Sequence, residues 1–293
     1  MRDLLAVVGK VAAHDVPLLI SGESGSGKNY LAETVHRVGE RREEPFVHIE
    51  CASIPPDLFE SELFGYEKGT FTDAQTRKLG KLEVAREGTV YFDEIAALTP
   101  NLQAKLLRAI EERQFTRLGG GQEVPFRARI LSSTARDVDA LIASGEFRRD
   151  LLYRINVVTV RMPPLRDRRE DIPMLAAEFL DGRKTIDAEA MDMLMRHSWP
   201  GNVRELHNVL ERAALLEESD SIRASALPIE QLGGGDTLVT AAVRDRWTLE
   251  QLEERYIREV LLQTRSNYSR AAEILGINRK TLLEKRKKYG IDL

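Results

Sequence analysis

With 293 residues, of which 42% are hydrophobic and 31% charged, the chain can bury more than one core and is not a disordered protein. It has no apolar run of membrane-spanning length, no signal-peptide pattern and a single cysteine, Cys51, so we expect a cytoplasmic protein with no membrane partner and no disulfide framework. The net charge is −4, but the segment from Ser266 onward holds seven basic and three acidic residues, which indicates an acidic body with a nucleic-acid-binding tail.

The first predicted strand leads into a glycine-rich loop, GESGSGKN, at residues 22–29. The pattern G-x-x-x-x-G-K after a strand and before a helix wraps backbone N–H groups around a phosphate, with Lys28 at the β and γ phosphates. Asn29 stands where serine or threonine normally binds Mg²⁺. A plain glycine-rich turn is the alternative. The predicted nucleotide-binding residues of this loop are Gly22, Gly25, Ser26, Gly27, Lys28 and Asn29.

Five short apolar or β-branched runs alternate with helical patterns in the first part of the chain. This alternation predicts an α/β fold, a parallel sheet with helices on both faces and ligands at the carboxyl ends of the strands. Apolar spacing from Leu102 to Glu112 predicts one of the helices, with its start near Thr99-Pro100. The predicted strands are Leu18–Ser21, Phe46–Ile49, Thr89–Phe92, Ala128–Ser132 and Val157–Arg161.

Two carboxylates, Asp93 and Glu94, follow the third of these strands. Asp93 would hold Mg²⁺ directly or through water, and Glu94 would orient or deprotonate the hydrolytic water. An N-cap for the next helix is the alternative, but a phosphate loop upstream in the same sheet favours catalysis. The sequence therefore predicts an ATPase that uses ATP and Mg²⁺. The five scattered histidines show no ligand spacing and indicate no further metal site.

The next segments predict a loop, a hairpin and a helical lid. Residues 64–80 carry aromatic residues without periodicity and predict a projecting loop, whereas residues 113–129 predict a hairpin around three glycines. After Pro163-Pro164 the pattern stays helical through Leu216. We expect an ATPase subdomain at 1–164, a helical lid at 165–228, a linker at 229–246 containing Gly233–Gly235, and a helical DNA-binding domain at 247–293.

The last domain has the pattern of a helix-turn-helix. An amphipathic helix after Trp247 precedes a second helix at Ser269–Leu275, a turn at Gly276–Asn278 and a basic helix at Arg279–Tyr289. A surface-charged helical hairpin is the alternative. Because the positive charge lies almost wholly on the last helix, we expect it to bind DNA.

These motifs resemble one family over nearly the whole chain: the bacterial enhancer-binding proteins, which are AAA+ activators of sigma-54 RNA polymerase, joined to a Fis-type helix-turn-helix. The resemblance implies an enhancer-like DNA site bound as a dimer, a hexameric ring as the active form, and ATP-driven remodelling of the sigma-54 holoenzyme. The matching segments are GESGSGK, ELFGYEKGTFTDA, GTVYFDEI, FRRDLLYRINVV, PPLRDRREDI, WPGNVREL and AAEILGINRKTL.

The family also implies roles for residues around the nucleotide. Thr134 matches the sensor that reads the γ-phosphate, and Arg204 matches the second sensor, which relays the nucleotide state to the lid. Arg148 and Arg154 match the arginine fingers, which reach the ATP of the neighbouring subunit. Without the surrounding motifs, a surface salt bridge would be the better interpretation of each arginine.

The loop at Phe64 to Ala74 is similar to the signature loop of the family, whose tip contacts sigma-54. Phe71 and Thr72, the residues that matter most there, are kept, but Thr70 replaces an alanine and Asp73 a glycine. The glycine replacement removes conformational freedom and adds a charge at the tip.

Other departures lie near the nucleotide. Asn29 replaces a usual glutamate, Glu50 the asparagine of the switch that restrains the catalytic glutamate, Ala135 an asparagine and Arg149 an acidic residue. A carboxylate at position 50 cannot donate the hydrogen bond of an amide. Asn29 and Glu50, together with Asp73 in the loop, favour a rival function, in which the AAA+ domain binds nucleotide for oligomerisation or sensing without driving sigma-54. A general AAA+ remodeller of proteins is disfavoured by the basic last helix.

In the DNA-binding domain the resemblance separates base contacts from phosphate contacts. Glu284 stands where a basic residue is usual. The chain begins at Met1 inside the first ATPase helix of the family, so we expect no sensory domain before it, and either a truncated protein or control by a separate partner fits. The expected base readers are Asn278, Arg279, Lys280 and Thr281, and the expected phosphate contacts are Lys285, Lys287 and Lys288.

Overall fold

The structure is a computed structural model that describes residues 2–71, 74–227, 242, 246–264 and 267–291. These fall into two compact units, Met1–Leu227 and Pro228–Leu293. The predicted linker glycines Gly233–Gly235, and Thr72 and Asp73 of the predicted contact loop, lie outside the described residues. Within the described ranges, no helix is both long and apolar enough to span a membrane.

The first unit alternates helices and strands as the sequence predicts. Its helices are α1 (Arg2–Ala12), α2 (Lys28–Arg37), α3 (Pro56–Phe64), α4 (Lys81–Val84), α5 (Pro100–Glu112), α6 (Val138–Ala143), α7 (Arg149–Ile155), α8 (Ile172–Leu180), α9 (Ala188–Arg196) and α10 (Asn202–Leu216). Its strands are β1 (Leu18–Ser21), β2 (Phe46–Glu50), β3 (Gly65–Tyr66), β4 (Lys78–Leu79), β5 (Thr89–Asp93), β6 (Gln114–Thr116), β7 (Glu123–Pro125), β8 (Arg129–Thr134), β9 (Val158–Arg161), β10 (Thr185–Ile186) and β11 (Ser221–Ile222).

Five of the strands form a parallel sheet in the order β2, β5, β8, β1, β9. They are the five apolar runs of the sequence; β1 has the predicted bounds, and the ends of the other four differ by at most two residues. Val90 and Phe92 of β5 pack into one core and Tyr91 into the core on the other face, so helices cover both sides as predicted. Strands β1, β8 and β5 are parallel neighbours, so their carboxyl ends lie side by side. The phosphate loop after β1 and the two carboxylates at the end of β5 are therefore at the same edge of the sheet.

Helix α5 confirms the amphipathic pattern and starts earlier than its first apolar residue. It begins at Pro100, and the Thr99 hydroxyl accepts a long hydrogen bond from the Leu102 N–H at 3.5 Å. Proline suits this first helical position because its missing N–H would have no intrahelical partner there. Leu106 and Ile110 on the apolar face are buried against the sheet.

The projecting loop and the hairpin are joined at their bases. Strands β3 and β4 pair antiparallel under the loop, and β6 pairs with β7 in the predicted hairpin. The Leu118 N–H donates to the Gly65 carbonyl at 3.0 Å, and the Leu118 carbonyl accepts from the Glu67 N–H at 3.0 Å. Arg117, almost fully buried, pairs with Glu67 at 2.8 Å and Glu83 at 2.6 Å. Loop and hairpin are therefore held together by hydrogen bonds and buried ion pairs.

The rest of the first unit is the lid formed by α8, α9 and α10. The two-residue strands β10 and β11 pair in parallel. Strand β10 interrupts the helical pattern that the sequence predicted through Leu216, whereas β11 follows that stretch. The side chain of Trp199 is fully buried, and its indole N–H donates to the Leu194 carbonyl at 2.8 Å. Trp199 thus anchors the turn between α9 and α10, just before the residues that face the phosphate loop.

The second unit contains three described helices, α11 (Leu249–Gln263), α12 (Tyr268–Ile274) and α13 (Arg279–Lys288). Gly276 has φ of 66°, a left-handed conformation that glycine adopts readily, in the turn before α13. Asn278 caps α13, because its side chain accepts from the Thr281 N–H at 2.8 Å. The predicted order of helix, turn and basic helix is therefore present. Its core residues are Ile257, Val260, Leu261, Ala271, Ala272, Leu282 and Ile291.

Candidate functional site

The loop between β1 and α2 has the conformation of a phosphate cradle. Gly25 and Gly27 have φ of 73° and 98°, which side chains rarely adopt. A Cβ on Gly25 would lie 2.3 Å from the carbonyl oxygen of Gly201, so the lid backbone lies directly against the loop. Because α2 begins at Lys28, its first N–H groups have no intrahelical acceptor. The buried Ser26 hydroxyl has no hydrogen-bond partner among the described residues.

Lys28 connects the loop to the catalytic strand. Its ammonium group donates to the carbonyls of Gly22 at 3.0 Å and Glu23 at 3.3 Å, and it pairs with the Glu94 carboxylate at 3.1 Å. The Lys28 side chain is 5% exposed, which strengthens its interaction with an anion. The structure thus brings together the lysine and the glutamate that the sequence assigned to phosphate binding and hydrolysis.

Asp93 lies at the centre of a hydrogen-bond network. Its carboxylate accepts from Ser133 Oγ at 2.6 Å, Asn29 Nδ2 at 3.1 Å and Tyr91 Oη at 3.3 Å. His48 Nε2 lies 3.8 Å away, too far for a hydrogen bond. Burial alone would raise the pKa of Asp93, but the nearby imidazole and the donors from Ser133 and Asn29 outweigh it and hold the pKa far below the usual carboxyl range. Asp93 therefore stays ionised.

Glu94 has a strained backbone. Its φ of 54° is left-handed and uncommon for a side chain of this size. Its N–H donates to Ser133 Oγ at 3.1 Å, and its second carboxylate oxygen accepts from the Ala135 N–H at 2.9 Å. These bonds fix the position of the Glu94 carboxylate beside Lys28.

The other two predicted relay residues lie at the same sheet edge but have different partners. Glu50 pairs in register with Asp93 on the neighbouring strand, and its carboxylate accepts from Ser53 Oγ at 2.8 Å. In the described residues it has no bond to Glu94. Thr134 is fully buried, and its hydroxyl accepts from the Arg136 N–H at 3.1 Å.

These side chains fit a nucleotide with Mg²⁺ rather than an all-protein metal site. No cluster of three or more His, Cys, Asp or Glu residues occurs in the ranges described. Mg²⁺ commonly takes one or two carboxylates together with phosphate oxygens and water. The ionised Asp93 would supply the carboxylate, and a nucleotide in the neighbouring loop, where the buried Ser26 hydroxyl is unpartnered among the described residues, would supply the phosphate oxygens.

The lid contributes several polar contacts to the loop. Arg204 donates to Ser24 Oγ at 3.2 Å, so this lid arginine contacts the phosphate loop. Asn202 is buried and donates to the Glu23 carboxylate at 3.1 Å and the Ser24 carbonyl at 3.0 Å. Arg166 pairs with Glu23 through two hydrogen bonds of 2.8 and 2.6 Å, which lower the pKa of Glu23.

Three polar residues at the site were not predicted: Asn202, Tyr91 and Ser133. Each has a polar group placed next to a catalytic or lid contact, but each is part of a predominantly apolar strand or of the lid motif. A polar residue inside a strand that ends at the site is the signal that would have marked Tyr91 and Ser133. No comparable local pattern marked Asn202 as a partner of the loop.

The predicted arginine fingers do not join the phosphate loop of their own chain. Arg148 pairs with Asp150 at 2.7 Å, and Arg154 pairs with Glu111 at 3.0 Å. Both side chains are about half exposed. Among the described residues neither arginine has a bond to the loop, and both remain accessible at the surface.

The predicted contact loop is described up to Phe71 and again from Ala74. The Phe71 side chain is 45% exposed, and its ring meets that of Tyr66 edge-on with centroids 4.8 Å apart. Thr70 donates to the carbonyls of Glu67 at 2.6 Å and Leu118 at 2.9 Å, so its hydroxyl ties the loop to the hairpin. Thr72, the second predicted contact, lies outside the described residues.

The predicted DNA-binding residues divide into paired and unpaired side chains. Asn278 and Thr281 bond to each other in the cap of α13. Lys285 pairs with Glu253 at 2.7 Å, and Lys288 pairs with Glu250 at 2.6 Å. The remaining predicted residues are exposed and lack an acidic partner in the described part of the unit; these are Arg279, Lys280 and Lys287.

Three known domain families match the chain in sequence order. Residues 1–161 match the sigma-54 interaction domain. Residues 166–242 match the AAA+ ATPase lid domain, and residues 248–289 match the bacterial regulatory proteins of the Fis family.

Individual relatives match over the full length of the chain. It is 44% identical to the regulatory protein AtoC of Escherichia coli over 100% of its length and 66% of that protein. It is 38% identical to the DNA-binding transcriptional regulator NtrC of Rhizobium meliloti over 100% of its length and 69% of that protein. The chain thus spans about two thirds of the length of these curated relatives.

A solved structure shares the fold. The crystal structure of NtrX from Brucella abortus matches with a TM-score of 0.75 and 37% identity, over 99% of this chain and 68% of that one. The same protein in complex with ATP matches with a TM-score of 0.73 and 36% identity, over 99% of this chain and 68% of that one.

Proposed function

This chain belongs to the sigma-54-dependent transcriptional activators, and we propose that it is an ATP-hydrolysing regulator that binds enhancer-like DNA and remodels sigma-54 RNA polymerase for promoter opening. One observation carries the proposal. Lys28, Asp93 and Glu94 converge at the phosphate loop, with Lys28 and Glu94 3.1 Å apart. A structural lysine–glutamate pair would not require the buried cradle or the ionised Asp93 beside it.

The proposed chemistry assigns one role to each of these side chains. Lys28 leaves the Glu94 carboxylate and binds the β and γ phosphates of ATP, the ligand found with the relative NtrX. The Glu94 carboxylate, which the Ala135 N–H holds in place, is then free to accept a proton from the attacking water. Asp93 would hold Mg²⁺, which supplies charge neutralisation at the phosphate oxygens when bound.

We assign the remaining relay residues to communication between subunits and with the lid. Arg148 and Arg154 reach the nucleotide of a neighbouring subunit in a ring. Their surface positions, at the N-cap of α7 and within α7, support this role. Arg204 links the nucleotide to the lid through the Ser24 hydroxyl. Thr134 senses the γ-phosphate, and Glu50, in register with Asp93 on the neighbouring strand, occupies the switch position that restrains Glu94.

The partners follow from the two ends of the chain. Phe71 and Thr72 contact sigma-54, and the exposed start of α13 enters the major groove of DNA as part of a dimer. We place the subdomain boundaries at 1–164, 165–228, 229–246 and 247–293. A regulator of this kind acts in the cytoplasm, where bacterial DNA and RNA polymerase are found.

Release of phosphate by the Glu94→Gln variant tests the proposal. Loss of a general base should lower the ATPase rate by roughly 10²–10⁴-fold while nucleotide binding persists. Glu87→Gln is the matched control, since Glu87 pairs with Arg127 at the surface and should hydrolyse ATP like the wild type. A Glu94→Gln rate equal to that of the wild type would refute the catalytic assignment. Nucleotide binding without hydrolysis in the wild type would favour the rival function of oligomerisation or sensing.

A further inference from the structure

The carboxamide of Asn29 is held at both ends. Its Nδ2 donates to one carboxylate oxygen of Asp93 at 3.1 Å, and its Oδ1 accepts from the Tyr91 hydroxyl at 2.9 Å. The Tyr91 hydroxyl also lies 3.3 Å from the other carboxylate oxygen of Asp93. The three side chains therefore form one polar cluster after Lys28, in which the single hydroxyl proton of Tyr91 is shared between Asn29 and Asp93.

Two roles are chemically open to an amide at position 29. Its Oδ1 could bind Mg²⁺ directly, in place of the serine or threonine hydroxyl of the usual phosphate loop. Alternatively, the amide could hold Asp93 in one orientation. The two roles require different orientations, because turning Oδ1 toward a metal would break the bond from Tyr91 and turn Nδ2 away from Asp93.

The burial of Tyr91 favours the second role. Its side chain is 1% exposed and cannot bond to bulk water, so its hydroxyl needs acceptors in the protein. The acceptors available are Asn29 Oδ1 and Asp93 Oδ1. Among the described residues, a carboxamide turned toward a metal would leave the Tyr91 hydroxyl only its longer contact, to Asp93 at 3.3 Å.

The remaining contacts of Asp93 show what this polar cluster leaves available. Ser133 donates to the carboxylate oxygen that faces Tyr91, at 2.6 Å, so this oxygen has donors from two strands. The other oxygen receives the Asn29 amide. The Asp93 side chain is only 19% exposed, so the lone pairs left for a cation point in a narrow range of directions.

We propose that Asn29 and Tyr91 are positioning residues that orient Asp93 for Mg²⁺, and that Asn29 is not itself a metal ligand. This inference rests on the proposed function, because it assumes that Asp93 binds Mg²⁺ with a nucleotide. It also explains how a chain without the usual hydroxyl at position 29 keeps an ordered metal site. In place of a hydroxyl ligand at position 29, hydrogen bonds from Asn29, Tyr91 and Ser133 fix the orientation of the Asp93 carboxylate.

The test is the affinity of Mg²⁺ for the protein bound to a non-hydrolysable ATP analogue, measured by calorimetric titration with Mg²⁺. The Tyr91→Phe and Asn29→Ala variants should each weaken Mg²⁺ binding by about 10-fold, the size of outer-shell effects at metal sites. The affinity of Tyr91→Phe for the analogue in EDTA should stay within about twofold of the wild type, because the Tyr91 hydroxyl bonds to the side chains of Asn29 and Asp93. Tyr30→Phe is the matched control, since Tyr30 is exposed on the same helix.

A double variant separates positioning from direct ligation. If both residues act through Asp93, Asn29→Ala with Tyr91→Phe should weaken Mg²⁺ binding no more than Asn29→Ala alone. If the fold-losses of Mg²⁺ affinity in the two single variants multiply in the double variant, the inference is overturned. It is also overturned if Tyr91→Phe binds Mg²⁺ as tightly as the wild type while Asn29→Ala does not. Circular dichroism and the unfolding midpoint verify that each variant is folded.

The same titration distinguishes failure of the inference from failure of the proposed function. If the wild type binds no nucleotide, or binds it with the same affinity with and without Mg²⁺, the proposed function falls and the inference with it. If the wild type shows the Mg²⁺ dependence and the variants match it, only the inference is wrong.

Discussion

Replacing Asn202 with alanine should loosen the lid from the phosphate loop. The Leu165 N–H, which is buried, donates to Asn202 Oδ1 at 2.8 Å and would lose its acceptor, a cost of about 1–3 kcal/mol. The bonds to Glu23 and the Ser24 carbonyl would also be lost. Asn202 has φ of 54°, a left-handed conformation that asparagine tolerates better than alanine. Together these changes should lower the free energy of unfolding by roughly 3 kcal/mol.

Thermal unfolding followed by circular dichroism measures this effect. For a unit of this size, about 2–4 °C per kcal/mol corresponds to a fall in the midpoint of roughly 6–12 °C. Arg204→Ala is the matched control from the same helix, because Arg204 is exposed and makes one hydrogen bond of 3.2 Å to the same part of the loop. Its midpoint should change by less than about 2 °C, since surface substitutions stay within about 0.5 kcal/mol.

The comparison also separates stability from nucleotide sensing. Arg204→Ala should lower the affinity for nucleotide with little change in the unfolding midpoint. Asn202→Ala should lower both the affinity and the midpoint. A midpoint for Asn202→Ala within about 2 °C of the wild type would refute the burial and hydrogen bonding assigned to Asn202.

Three further predictions concern the carboxylate, the loop and the DNA-binding unit. The folded pKa of Asp93 lies below its ordinary value of about 3.9, so its ionised carboxylate stabilises the folded state fully above that ordinary value, and this stabilisation is lost as the pH falls through the folded pKa. The free energy of unfolding in urea should therefore depend less on pH, between about 5 and 2, for Asp93→Asn than for the wild type. Thr70→Val, which loses the hydroxyl contacts to the carbonyls of Glu67 and Leu118, should weaken sigma-54 binding roughly fivefold without changing ATP hydrolysis. Thr70→Ser keeps the hydroxyl and should bind sigma-54 like the wild type; equal binding by the Val and Ser variants would contradict a role for this hydroxyl in holding the loop to the hairpin. Lys287→Ala should reduce the salt dependence of DNA binding by about one phosphate contact, and Lys288→Ala by less, because Lys288 pairs with Glu250; the reverse order in a salt titration would contradict this.

Much of the sheet and of the catalytic centre could be predicted from the sequence. Buried parallel strands are nearly continuous apolar runs, so Leu18–Ser21 and Thr89–Asp93 stand out against the helical segments around them. The residues after such strands meet at one sheet edge, which is why Lys28, Asp93 and Glu94 could be expected to converge. The ion pair between Lys28 and Glu94 agrees with that expectation, and the loop reaches Asp93 through Asn29.

The lid contacts and the loop base could not be predicted in the same way. Asn202 meets Glu23 across 179 positions of the chain, and no local pattern encodes a contact of that range. Strands β3 and β4 have two residues each, too few to show alternation. The partner of a polar side chain such as Tyr91 depends on which strands become neighbours in the sheet. These features follow from the packing of distant segments.

Binding to sigma-54 is the most direct test of the central claim. The wild-type chain is mixed with sigma-54 and a transition-state analogue of ATP, and co-migration is measured on a native gel beside the Asp73→Gly and Phe71→Ala variants. The proposed function predicts that the wild type co-migrates with sigma-54 only in the presence of the analogue, and that Phe71→Ala does not. Absence of co-migration by the wild type, alone or with restoration by Asp73→Gly, would contradict the claim that this chain drives sigma-54 polymerase.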